Sequence, residues 1–327
     1  MNRMNGRILR AFCACVACAS LVGCKAKGDD AKAAAGSPPF MSTVATLPPA
    51  DEAPSPDTVD GFDGKRAFSH VAKQVGFGPR PSGSPAIAQA QEYLLSELKS
   101  YGCTVETDAF TSDTPIGRLP MKNFLVKIPG DKPGVILLGT HYDTKILDNF
   151  VGADDGGSST AVMLELARLL CSQRGHYAVW IAFFDGEEAV KVWNETDGRY
   201  GSREMAASLA ASGDIKKIRA FLLADIVGGR KAYFPRESSS TRALVDLVWN
   251  TADKLGYSSI FLDRESSAED DHDSFMKRGV PAVDVIGDFV NNGYWHTPQD
   301  SIDKISPKTL AIVGHVFLES VKQLQAK

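Results

Sequence analysis

The sequence predicts an α/β domain over residues 58–327, with a mixed, mostly parallel central β-sheet covered by helices on both faces. Two observations carry this. Short, continuous apolar runs alternate with longer stretches of helical period, as strands buried on both sides and their covering helices should. Residues able to bind metal follow several of those runs directly, where open α/β sheets collect their ligands.

Taken in order, the chain opens on a segment of another kind. Arg3, Arg7 and Arg10 precede an apolar run over 11–22 that is too short to reside across a bilayer. The run ends in Leu21-Val22-Gly23-Cys24, which resembles the bacterial lipobox. That resemblance implies cleavage before Cys24, lipidation of the cysteine, and an exported bacterial lipoprotein held to a membrane. Lys25 favours the outer membrane by the same resemblance. Residues 25–57 are rich in Ala, Ser, Pro, Gly and charge, without apolar periodicity, and read as a flexible tether.

Within the domain, Ser84-Pro85 predicts a helix start and Gly102 its stop, with Ile87, Tyr93, Leu94, Leu98 and Tyr101 sharing one face. Buried strands are expected at 124–128, 134–138, 178–184, 221–226 and 281–286. Further helices are expected at 159–170, 241–255 and 306–324, the last opened by Ser306-Pro307. Four of the six cysteines (Cys13, Cys15, Cys18 and Cys24) fall in the leader. Cys103 and Cys171 remain, either paired or as buried thiols. A formal charge of −4 offers no electrostatic case for nucleic acid, and no second apolar run is long enough to cross a membrane.

Chemistry concentrates in five segments: HYDTK (His141, Asp143), GADDGG (Asp155), DGEEA (Glu187, Glu188), LLADIVGG (Asp225) and YWHT (His296). Imidazole and carboxylate are zinc ligands, and a catalytic zinc site keeps one position open. Adjacent glutamates suit a division of labour, one holding metal while the other stays free as a base. Plainer readings stand beside this one. Glu187 and Glu188 could mark a solvated helix start, where acids favour the dipole, and Asp270 could sit in a solvated acidic loop with Glu269, Asp271 and Asp273. His272 reads as structural, and His70, His176 and His315 lie outside every motif.

At these residues the chain resembles the M28 zinc aminopeptidase-like family and, within it, the animal-type glutaminyl cyclases. The cyclase likeness lies in FVGADD, FFDGEEA followed by Trp193, YGSR at 200–203, EDDHDSF at 269–275, GVP at 279–281, and Trp295 before His296. It implies a zinc aminopeptidase-like α/β/α fold and one zinc held by Asp155, Glu188 and His296. Glu187 would be general base and acid, with Asp225 and Asp270 as an acidic chain beside it. Trp193 and Trp295 would wall the substrate pocket. A second zinc, where bound, would take His141, Asp155 and Asp225.

The implied activity is zinc-dependent conversion of N-terminal glutamine to pyroglutamate with release of ammonia. The alternative is an exported aminopeptidase with one or two zincs, and a third class is a binding lipoprotein without turnover. Substrates would be peptide or protein N-termini, met by a monomer. Two departures from the cyclase pattern stand out. Asp284 occupies the place of a histidine, and the segment 288–294 is longer.

Overall fold

In the computed structural model, which describes residues 51–326, the apolar runs become strands of one large sheet and one small one. The strands are β1 (Val105–Thr114), β2 (Gly117–Ile128), β3 (Gly130–His141), β4 (Gly175–Phe184), β5 (Ile218–Asp225), β6 (Phe234–Glu237), β7 (Phe261–Ser266) and β8 (Ala282–Ile286). The six-stranded sheet runs β1-β2-β4-β3-β5-β8, and β6 pairs with β7 alone. β4, β3, β5 and β8 are parallel, while β2 meets both β1 and β4 antiparallel. The mixed, mostly parallel sheet expected from the sequence is therefore present.

Strand alternation sorts the side chains between two cores. Phe124, Val126, Ile128, Ile136 and Leu138 face the larger, whereas Leu125, Val135 and Leu137 face the smaller. The larger core is closed by α1 (Gly64–Val75), α2 (Pro85–Ser100), α3 (Gly157–Leu170), α5 (Arg242–Lys254) and α7 (Pro307–Gln325). The smaller is closed by α4 (Tyr200–Ser212) and α6 (His272–Met276). The expected cap-and-proline starts are real: Ser84 Oγ accepts the Ile87 N–H at 3.1 Å, and Ser306 Oγ accepts that of Thr309 at 3.3 Å.

One boundary and one helix differ from expectation. The tether does not reach residue 57: Asp51 pairs with Arg230 and accepts the Ser306 hydroxyl, and Pro56–Thr58 form a short 3-10 turn. Residues 51–57 thus belong to the folded domain, because their charged and turn-forming groups find partners on it. Helix α1, not foreseen, is capped by the Asp63 carboxylate, which accepts the N–H groups of Lys65 and Arg66. Cys103 and Cys171, left open by the sequence, form a disulfide that ties the start of β1 to the end of α3. The leader, Cys24 and most of the tether lie outside the described residues. Among the described residues, no helix is long and apolar enough to cross a membrane.

Candidate metal centre and active site

β3 lies between β4 and β5, and the crossover helices α3 and α4 cover opposite faces of the sheet. Such a switch point opens a crevice beyond the carboxyl ends of the strands. The motifs stand there. His141 closes β3, Glu187 and Glu188 follow β4, and Asp225 closes β5. The loop before α3 delivers Asp155, and the segment between β8 and α7 delivers His296.

All five ligand candidates come together. His141, Asp155 and Asp225 offer atoms within 4.8 Å of one another, and so do Asp155, Glu188 and His296, with Asp155 common to both sets. His141 Nε2 is 3.0 Å from Asp225 Oδ1 and 3.3 Å from Asp155 Oδ1. His296 Nε2 is 3.1 Å from Glu188 Oε1 and 3.2 Å from Asp155 Oδ2. Asp155 Oδ2 is nonetheless buried without a hydrogen bond among the described residues. Imidazole and carboxylate donors converging in this way, with buried lone pairs unspent, fit zinc.

The loops carrying these groups have no ladder of their own, so their N–H groups need other partners. Buried carboxylates supply them. Asp143 accepts the N–H groups of Glu187 at 3.0 Å and Glu188 at 3.3 Å. Asp300 does the same for Asp154 at 2.8 Å and Asp155 at 3.0 Å. Asp197 gathers the N–H groups of Val190, Lys191 and Val192, which anchors the turn before Trp193. Asp154, next to Asp155, accepts the Gly228 N–H and the Tyr294 hydroxyl, which makes it a structural rather than a ligand group. Nothing in the sequence marked Asp197 or Asp300, since a backbone latch needs only one acid anywhere within reach.

No helix starts at Glu187 and Glu188, which are 7% and 5% exposed, so the solvated helix start does not hold. Both line a cavity of about 820 Å³ with Asp155, Asp270 and His296. Trp193 and Trp295 form its walls together with Phe289. Trp193 is fixed by its Nε1–H donating to Glu269 at 2.9 Å and by the Arg199 guanidinium 5.0 Å from its ring. Trp295 stacks on His296 at 3.9 Å between centroids and meets Phe289 at 4.7 Å. A second cavity, about 810 Å³, shares Ile226 and is lined by much of the 287–294 segment, but holds neither Glu187 nor a complete ligand set. The longer segment therefore shapes the wall of the active pocket through Phe289.

The acids behind the pocket are held towards their neutral forms. Burial lifts Glu187 well above the usual carboxyl range, opposed by His141 and aided by the charges on Asp270 and Glu188. Burial and the Asp225 charge push Asp270 up to about 7, and burial pushes Asp225 to about 6. Asp270 is buried rather than solvated, and its Oδ2 has no hydrogen bond among the described residues. Asp284 is fully buried, both its oxygens lack a hydrogen bond among the described residues, and burial drives it well upward, towards its neutral form. His272 is buried 3.4 Å from Glu237 and takes no part in either ligand set, as expected.

The backbone is strained at two of these positions. Ile226, next to Asp225, and His296 itself both have φ +51°, in the left-handed region that L residues avoid. Gly287 answers the first: a Cβ there would lie 2.2 Å from the Ile226 carbonyl oxygen.

Comparison with known proteins agrees with this geometry. The model of peptidase family M28 matches residues 123–321. The chain belongs to peptidase family M28. Among M28-like proteins it is 30% identical to a glutaminyl-peptide cyclotransferase-like protein of Bos taurus, over 73% of this chain and 70% of that one. Its structure is similar to that of a glutaminyl cyclase from an Acidobacteriales bacterium, with TM-score 0.77 and 39% identity over 86% of this chain and 99% of that one. It is also similar to a Zn-dependent exopeptidase from Parabacteroides distasonis, with TM-score 0.72 and 28% identity over 80% of this chain and 98% of that one. The M28 relatives are thus enzymes, and zinc is the metal that the site fits.

Proposed function

We propose that this M28 enzyme is a zinc-dependent glutaminyl-peptide cyclotransferase, converting N-terminal glutamine of peptides or proteins to pyroglutamate with release of ammonia. One observation carries the reading: Glu187 stands beside the Asp155, Glu188 and His296 set in a cavity walled by Trp193 and Trp295. In this reaction the α-amine attacks the side-chain carbonyl carbon of its own residue. A ring C–N bond forms, the carboxamide C–N bond breaks, and ammonia leaves. The nucleophile is already tethered, so the pocket's main task is to orient it.

Asp155, Glu188 and His296 would hold a zinc ion, which when bound would supply Lewis-acid polarisation of that carbonyl. Glu187 takes the proton from the attacking amine and returns it to the departing nitrogen, a double task suited to a carboxyl lifted towards neutrality. The α-amine, with a pKa of about 7.7–8.0, is partly neutral near pH 7, so no stronger base is needed. Asp225 and Asp270, raised by burial to about 6 and about 7, can exchange protons beside Glu187, and Asp270 faces the pocket where the leaving nitrogen needs a partner. The two tryptophans keep bulk water from competing with the amine.

The second reading is an aminopeptidase, with Glu187 activating water. It is favoured by the additional His141, Asp155 and Asp225 set, which offers a place for a second zinc, and by the likeness to the Zn-dependent exopeptidase. Purified enzyme incubated with Gln- and Leu-initiated peptides separates the two, with ammonia, free amino acid and zinc per chain measured independently. The cyclase reading expects ammonia and pyroglutamyl product from the first, intact peptide from the second, and one zinc. Trp193→Ala and Asp270→Ala should each slow cyclisation by roughly 10–100-fold through misplaced substrate, with zinc retained. Rapid release of N-terminal residues without ammonia moves the protein to the aminopeptidase side.

We also propose that Cys24 carries a lipid and holds the exported enzyme to a membrane, the outer one favoured, because a basic leader, a short apolar run and a small-residue site precede it. Cys24→Ser should shift the protein from the membrane to the soluble fraction. A variant that stays with the membrane removes the anchor from the account.

A further inference from the structure

Arg80 is the largest side chain fully withdrawn from solvent among the described residues. Its charge is balanced at longer range by Asp300, Asp143 and Asp155, and among the described residues its guanidinium donates only to backbone carbonyls. Gln74 at 3.3 Å and Gly78 at 3.4 Å lie around the end of α1; Tyr142 at 3.5 Å follows β3. Val151 at 2.7 Å and Gly152 at 3.2 Å belong to the loop that delivers Asp155. The backbone of Arg80 is tied as well. Its N–H donates to Thr144 Oγ1 at 2.8 Å, and its carbonyl accepts the Thr144 N–H at 3.2 Å.

Arg80 therefore lies between the segment bearing His141 and Asp143 and the loop bearing Asp155. That loop is tight: Gly152 has φ +50°, and a Cβ there would sit 2.5 Å from the Asp155 carbonyl oxygen. A shift at Val151 and Gly152 is thus passed on to the ligand. A rigid, planar fork of five donors can hold several carbonyls at once, which a lysine ammonium cannot. A buried cation without an adjacent anion is costly for folding alone, so its value lies in what it orders.

We propose that Arg80 is a positioning residue for the zinc site, locking the Asp155 loop against the His141 segment so that the ligands are arranged before metal arrives. The proposal depends on reading Asp155, Glu188 and His296 as the zinc site. Zinc affinity, measured by chelator competition on the full purified chain at fixed pH, is the deciding quantity. It is compared for wild type, Arg80→Lys, Arg80→Met and Thr144→Val, with circular dichroism reporting the folded fraction. Arg80→Lys keeps the charge and loses the fork; its zinc Kd should rise about 10–100-fold, as for other partners that orient ligands. Arg80→Met should lose at least as much. In both, kcat on a Gln-peptide at saturating zinc falls while KM stays within about twofold, because the tryptophan walls are untouched. Thr144→Val cuts a single tie and should raise Kd by a smaller factor, which keeps the question decidable where the Arg80 variants do not fold.

A folded Arg80→Lys chain that binds zinc as tightly as wild type overturns the proposal. So does a loss of affinity that vanishes once folded fraction is taken into account, or wild-type affinity in Thr144→Val when neither Arg80 variant folds. Absence of zinc binding by the wild type sinks both the site and its positioning residue; unaltered affinity across the variants sinks only the latter.

Discussion

Glu187→Gln is expected to keep its zinc and lose turnover by about 10²–10⁴-fold, the usual loss for a general base. The amide matches the carboxyl in size, so the buried position and the backbone latch to Asp143 remain satisfied. What it cannot do is accept and return a proton. Glu187 also stands outside both ligand sets, so metal content has no reason to change. Elemental analysis and turnover on one sample decide the matter. A variant that loses its metal, or works almost normally, means the two glutamates have been given each other's tasks.

Glu188→Ala and His296→Ala are expected to fail differently, losing zinc and activity together. Each removes one of three converging donors, so the affinity loss should exceed the roughly 10–100-fold typical of groups that only orient a ligand. The remaining groups are also left worse placed. Without Glu188 the Lys145 ammonium, 3.3 Å from its carboxylate, keeps the Ala189 carbonyl but loses its anionic partner; without His296, Trp295 loses the ring it stacks on. Full metal content in both purified variants would contradict the assignment.

The fold was legible where burial on both faces writes itself as a continuous apolar run, as in β3, β4, β5 and β8. It was less legible in β1 and α4. β1 is an edge strand whose side chains are mostly exposed or half-buried, so no apolar run marks it. α4 opens from Arg199 in the left-handed region with no capping side chain, so no start signal precedes it. The site shows the same division. Groups that act on metal or substrate recur as dense local motifs, and their gathering at one switch point follows from their places after strands. Groups that hold those motifs in place, such as Arg80 and Asp300, act through backbone atoms of distant segments. Their side chains carry no local pattern, and only the folded chain reveals what they touch. The disulfide belongs to this class too, since two cysteines 68 residues apart say nothing of their distance in space.

The left-handed turns at Ile226 and His296 would tie heat tolerance to nutrient supply. Backbone held in that region costs on the order of 1–3 kcal/mol per residue, and here one turn follows the candidate ligand Asp225 while the other is at His296 itself. Metal at 1,000 times its dissociation constant returns about 4 kcal/mol by mass action. Such an enzyme would be robust in zinc-replete surroundings and fragile in zinc famine, when emptied molecules open more often and fall to proteases. Its abundance would then follow the free zinc around it without any sensor or transcript. Melting temperatures recorded along a series of buffered zinc concentrations should climb steadily; a flat profile would uncouple scarcity from turnover.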